Sequence, residues 1–134
     1  MTVELMYLTW VTLLTGLLWI PVVIGYVSAR GVLTPADYVS PPESALPPWV
    51  NRAFRAHYNA IEGFVAFAVI IIIAHLAGIS TQITQAAAMV YFWARLAHAV
   101  VHISGFKHFY ARTMIFNVAF FAWLAIIIEV LRHG

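Results

Sequence analysis

Two runs of polar residues interrupt an otherwise apolar chain: Arg55, Asn59 and Glu62, then Arg95, His98 and His102. The first set falls at i, i+4, i+7 and the second at i, i+3, i+7, so on helices each makes a single polar stripe. Ionisable groups within lipid-soluble sequence are costly and mark positions with a task. The two stripes should face each other. A charged Glu62 at that depth calls for a cation, which Arg95 or Arg55 could supply. An interhelical ion pair that sets helix register is then the plain alternative to a ligand role, and the two do not exclude each other.

Arg112-Thr113 is a third candidate. It stands where the last apolar run begins, and the unpaired N–H groups and positive dipole end of a helix start favour an anion there. A carboxylate or a thiolate would suit the place. A thiolate accepting hydrogen bonds from the Thr113 hydroxyl and the Arg112 guanidinium would be held in its charged, nucleophilic form. The bland alternative is a snorkelling Arg beside a helix cap. His98 and His102 also have the i, i+4 spacing by which one helix face offers two imidazoles to a metal or haem. Further ligands would have to come from Glu62 or from His75, which lies far along the same helix. His57 and His108 read as interfacial side chains, and Trp10, Trp49, Trp93, Phe109 and Tyr110 as membrane-interface anchors or helix contacts.

The elements that must position these groups follow from composition. Of 134 residues, 63% are hydrophobic and 9% charged, and the mean hydropathy is +0.90. That leaves too few polar groups to clothe a water-soluble surface. No repeat or long linker divides the chain, so one transmembrane domain over 1–134 is expected. A formal net charge of +2 with scattered Lys and Arg sets nucleic acid aside. The absence of cysteine excludes disulfides, thiolate metal sites and a cysteine nucleophile, so any thiol chemistry must use a ligand's sulfur.

Four spans are expected, at about 5–28, 51–78, 84–103 and 110–131, each long enough for the hydrocarbon layer and each necessarily helical. The first has an acidic start and too long an apolar run for a cleaved leader. Pro21 within it removes a donor and crowds the Leu17 carbonyl, which predicts a kink. Residues 29–50 carry five prolines and cannot span; Pro47-Pro48 open the second helix. The fold expected is an all-α, integral membrane four-helix bundle, with its charged and polar residues gathered toward one side of the bilayer. Arg30, Arg52, Arg55, Lys107 and Arg112 flank the first and third loops, whereas the other side has Arg132 alone among cations of the helix ends. The positive-inside bias places loops 29–50 and 104–109 in the cytoplasm and both termini opposite.

Arg52-Ala-Phe-Arg55-Ala-His57-Tyr-Asn59-Ala-Ile-Glu62 resembles the R-x-x-x-N-x-x-E signature of the MAPEG family, the membrane-associated proteins of eicosanoid and glutathione metabolism. Ala94-Arg95-Leu96-Ala97-His98, followed by Ala111-Arg112-Thr113, is similar to that family's third-helix Arg and His and its fourth-helix Arg-Ser. The resemblance covers the second to fourth spans. It implies a homotrimer with glutathione as co-substrate, bound between subunits in the cytoplasmic half. Arg55, Asn59, Glu62, Arg95, His98 and His102 would bind it, with Arg30 and Arg52 as further partners for its carboxylates, and Arg112 with Thr113 would face the sulfur. The chain departs from the family's prostaglandin E synthase type at Tyr58, where that type has Arg, and at His102, where it has Tyr. The stretch from His98 to Arg112 is one residue longer.

What the resemblance implies is a glutathione-dependent transferase or peroxidase whose thiolate attacks a lipophilic small molecule arriving from the bilayer. Two rivals stay open: a non-enzymatic membrane scaffold or binding subunit of the same fold, and a haem or metal protein using His98 and His102.

Overall fold

A computed structural model describes residues 1–43 and 45–134; Ser44, in the long loop, lies outside the described residues. The first span, Val3–Arg30, is two helices. Helix α1 (Val3–Leu17) opens on Thr2, whose hydroxyl accepts from the Leu5 N–H, and α2 (Trp19–Arg30) follows directly. The break at Leu18 lies three residues before Pro21, the distance at which a missing N–H and the ring's crowding of the preceding turn act. Gly31, at φ 78°, ends α2 in a conformation open to glycine. In the loop beyond, Asp37 takes hydrogen bonds from the Thr34 N–H (2.6 Å) and hydroxyl (2.8 Å), closing a short 3₁₀ turn, Pro35–Tyr38. Those donors hold the Asp37 carboxyl below its ordinary value.

Helix α3 (Pro48–Leu76) starts with a proline at its first position and runs 29 residues. At 1.5 Å per residue that is about 44 Å, longer than the roughly 30 Å hydrocarbon layer, so its polar opening turns reach the membrane interface. Helix α4 (Gln82–Ser104) is capped at its start by reciprocal Thr81 and Thr84 bonds and ends at Gly105, at φ 76°. Helix α5 (Ala111–His133) follows a 3₁₀ turn, His108–Tyr110. The structure is all-helical among the described residues, and α1–α2, α3, α4 and α5 are each long and apolar enough to cross a membrane. The result is a four-helix membrane bundle.

Helix α4 packs against α1, α3 and α5. Where helices meet, alanines are buried (Ala56, Ala60, Ala88, Ala99, Ala119), letting backbones approach as lipid-dissolved helices require. Phe67 and Tyr91 stack at 3.9 Å between ring centroids at the centre of the core, beside Val11, Ile71 and Ile126. The outward faces carry Leu13, Ile72, Phe121 and Ile128, suited to lipid.

One expectation needs correction. Polar groups do not gather at a single end. At the other end Glu4 is 3% exposed and accepts from the hydroxyls of Thr84 and Ser80 (3.0 Å). Glu129, 4% exposed, accepts from the Thr81 hydroxyl at 3.3 Å and pairs with Arg132 (3.4 Å) and His133 (3.2 Å). The two carboxylates thereby tie α1 and α5 to the start of α4, where a helix's free N–H groups favour negative charge.

Candidate functional site

The sequence around Arg112 folds in an unusual local way. Phe109 and Tyr110 both have positive φ, 55° and 50°. Such backbone costs about 1–3 kcal/mol per residue outside glycine. It turns the chain so that α5 begins at Ala111, which sets Arg112 and Thr113 in the first helical turn.

From there the cleft assembles. Arg55, Tyr58, Asn59 and Glu62 from α3, His98 and His102 from α4, and Arg112, Thr113 and Phe116 from α5 line an open cavity of about 450 Å³, with Phe54 at its rim. Seven of the ten sequence-derived candidates meet there. His98 is buried; the Arg55, Glu62, Arg112 and Thr113 side chains are exposed to the cavity. His98 and His102 meet edge-on, 5.5 Å between ring centroids, and His98 lies 6.0 Å from the Phe116 ring. Arg112 Nη1 is 3.4 Å from His102 Nε2. Among the described residues, no group of three or more His, Asp or Glu side chains is disposed to hold a metal ion.

The other three candidates lie outside the cavity wall. Arg95, 5% exposed, donates from Nη2 to the Asn59 carbonyl (2.7 Å) and to Asn59 Oδ1 (3.0 Å). The alternative of an interhelical ion pair at Glu62 is not formed: among the described residues neither Arg95 nor Arg55 lies within 4.0 Å of that carboxylate. Arg95 acts behind the cleft, fixing the Asn59 amide that faces it. Arg52 donates from Nε to the Ile103 carbonyl (3.0 Å), capping the end of α4 where a cation complements the dipole. It lines a second, adjoining hollow with His102, Lys107 and Arg112. Arg30 lies over the Tyr26 ring at 5.3 Å and borders neither cavity.

Sequence reasoning passed over several participants. Phe116 separates the polar cleft from a deeper, largely apolar slot of about 230 Å³, lined by Gly63, Ala66, Tyr91, Arg95, Ala119, Phe120 and Trp123. The Tyr91 hydroxyl donates to the Gly63 carbonyl (2.9 Å), and Trp123 Nε1 donates to the Ala66 carbonyl (3.3 Å), so both bonds tie lining side chains of α4 and α5 to the backbone of α3. A usable signal was present: Thr113, Phe116, Phe120 and Trp123 follow i, i+3, i+7, i+10 and so share one face of α5.

Chemically, the arrangement offers cations and hydrogen-bond donors at the membrane-interface end and an apolar slot toward the bilayer centre. The fold and cleft define a class: a four-span membrane bundle with a polar, anion-favouring cavity at one end. The MAPEG family's sequence profile matches residues 6–132, nearly the whole chain, and the chain belongs to that family, one of membrane proteins with glutathione-related transferase and peroxidase activities. No curated protein matches it.

Proposed function

We propose that the protein is a membrane-bound, glutathione-dependent transferase or peroxidase acting on lipophilic electrophiles. The observation that carries this reading is the convergence of Arg55, Asn59, Glu62, Arg112 and Thr113, from two helices, on one cavity large enough for a small peptide. Glutathione has two carboxylates, an amine and a thiol. Arg55 suits a carboxylate, Glu62 the amine and Asn59 the peptide groups, which leaves Arg112 and Thr113 for the sulfur. With the thiol proton passed to bulk water through the open cleft, the thiolate is held by the Arg112 guanidinium, the Thr113 hydroxyl and the free N–H groups of the α5 start. Its electron pair then forms the new bond to the electrophile as the leaving group departs. The slot beyond Phe116 supplies an apolar berth reached from lipid; a dry cavity of about 150 Å³ takes a benzene ring, and this one is larger.

The same reading includes a homotrimer, and an orientation with loops 29–50 and 104–109 in the cytoplasm, on the positive-inside argument. Glutathione then enters from the compartment that holds it.

Calorimetric titration tests the proposal. Wild type should bind glutathione, and Arg112→Ala should weaken binding about tenfold or more, the worth of a charge-assisted hydrogen bond. A conjugation assay with an aromatic halide should show turnover in wild type and a loss in Glu62→Gln. The scaffold reading is favoured by Arg95 and Arg52, two polar-stripe residues whose bonds are spent on packing. Heats equal in both proteins, or absent from both, would decide for it.

A further inference from the structure

We infer that His102 is a positioning residue for Arg112: neutral, it accepts a hydrogen bond from the guanidinium and holds it toward the cleft, and on taking up a proton it lets the guanidinium go. The inference deepens the glutathione reading and rests on it for its catalytic consequence.

The geometry is specific. Arg112 Nη1 faces His102 Nε2 at 3.4 Å. Arginine has donors and no acceptor, so Nε2 must present its lone pair and the ring proton must sit on Nδ1. Nδ1 is buried and has no hydrogen-bond partner. The ring therefore carries an unsatisfied N–H at one nitrogen while the other serves Arg112. Among the described residues Arg112 makes no other hydrogen bond or ion pair, so this imidazole is what orients it.

The surroundings make the contact dependent on charge. Arg52 and Arg55 face His102 from α3, Arg112 from α5 and His98 from its own helix. Lys107 and Tyr110 border it from the connecting loop, and Glu62 is the acidic group of the same cleft. A proton on His102 turns Nε2 into a donor pointing at donors and adds a cation beside three arginines, with Glu62 not ion-paired to any of them. The guanidinium then loses the acceptor that holds it in the cleft. A tyrosine at this position would not titrate in the same range, so the switch belongs to the histidine that this chain carries there.

The test compares His102→Gln, which keeps an acceptor and cannot gain a proton, with His102→Leu, which has none. Bound glutathione is followed through the ultraviolet band of its thiolate across a pH series, with calorimetry reporting total binding. Wild type should lose thiolate on acidification with the steepness of two protons. His102→Gln should keep thiolate at neutral pH and lose it with the steepness of one. His102→Leu should show several-fold less thiolate per bound glutathione at neutral pH. A thiolate fraction and pH profile in His102→Leu that match wild type overturn the inference; so does a His102→Gln that fails to rescue it.

A second measurement needs no ligand. Nuclear magnetic resonance of the histidine ring nitrogens should find the Nδ1–H tautomer at His102, and a tautomer mixture in Arg112→Ala. An Nε2–H tautomer in the unliganded wild type overturns the inference. Absence of any glutathione heat in wild type instead sinks the parent reading, and the switch loses its function with it.

Discussion

Arg95 and Glu62 show how differently two charges on facing stripes can be used. Arg95 is buried and spends its guanidinium on Asn59, whereas Glu62 opens on the cleft without a cation in reach. Arg95→Ala therefore loses two charge-assisted bonds and leaves a void, and should cost roughly 2–4 kcal/mol in detergent unfolding. Glu62→Gln should leave unfolding within about 0.5 kcal/mol of wild type while weakening glutathione binding. A buried ion pair would behave otherwise, since removing one partner costs about 3–5 kcal/mol; a loss of that size in Glu62→Gln would contradict the geometry. The sequence located both stripes correctly, but their spacing fixes only which face a residue shares, not how far a guanidinium reaches across to the next helix. The pairing was for that reason not legible. Asp37 gives a pH prediction of known sign. Its carboxyl is held below the ordinary value of 3.8 by the Thr34 donors, so the turn is stabilised above that range and loses the contribution only as pH falls through the lowered value. The Thr34 amide resonance should stay constant down to about pH 4 and move below it; movement near neutrality would refute the cap.

At the scale of helices, two glycines in the first span predict opposite behaviour. A Cβ at Gly25 would meet Val50 Cγ2 at 2.5 Å and Cγ1 at 2.8 Å, and Val50 is wholly buried and stiff about χ1. At Gly25 α2 lies directly against the start of α3. Gly25→Ala should destabilise by about 1–3 kcal/mol and loosen the polar opening of α3 on which Arg55 and Asn59 sit. At Gly16 nothing lies within 4 Å, so Gly16→Ala should be neutral or stabilising by up to about 1 kcal/mol. Equal thermal midpoints for the two variants would show that α2 is not packed as described. Helix positions were readable because hydrophobic run length and proline placement are local signals; Pro21 announced the break at Leu18, and Pro47-Pro48 the start of α3. The turn that aims Arg112 was not readable. Phe109 and Tyr110 are ordinary aromatics in sequence, and nothing local in that sequence marks the left-handed backbone they adopt. Glu4 and Glu129 escaped notice for a related reason. Each is a lone carboxylate near a chain end, and only the fold brings both to the threonines that open α4.

Across the whole molecule, the bundle sets a polar cleft at one end and the Glu4–Glu129 clasp at the other, so the two membrane faces differ in kind. An even number of spans puts both termini on the clasp side and the first and third loops on the cleft side. Which side is cytoplasmic then turns on cations: Arg30, Arg52, Arg55, Lys107 and Arg112 lie at the cleft end and Arg132 at the other, an imbalance worth more in loops this short than the acidic count. The chain's lack of cysteine makes this directly measurable. Single substitutions Ser40→Cys and His108→Cys place a thiol at exposed positions of the two loops, and Gly134→Cys places one at the exposed C-terminus. In intact cells an impermeant thiol reagent should spare the first two and label the third, and all three should react once the membrane is opened. Labelling of Ser40→Cys from outside would invert the topology and put the proposed glutathione entrance in the wrong compartment. Labelling of Ser40→Cys and Gly134→Cys from the same side would break the four-span count itself, on which the convergence of α3, α4 and α5 at a single end depends.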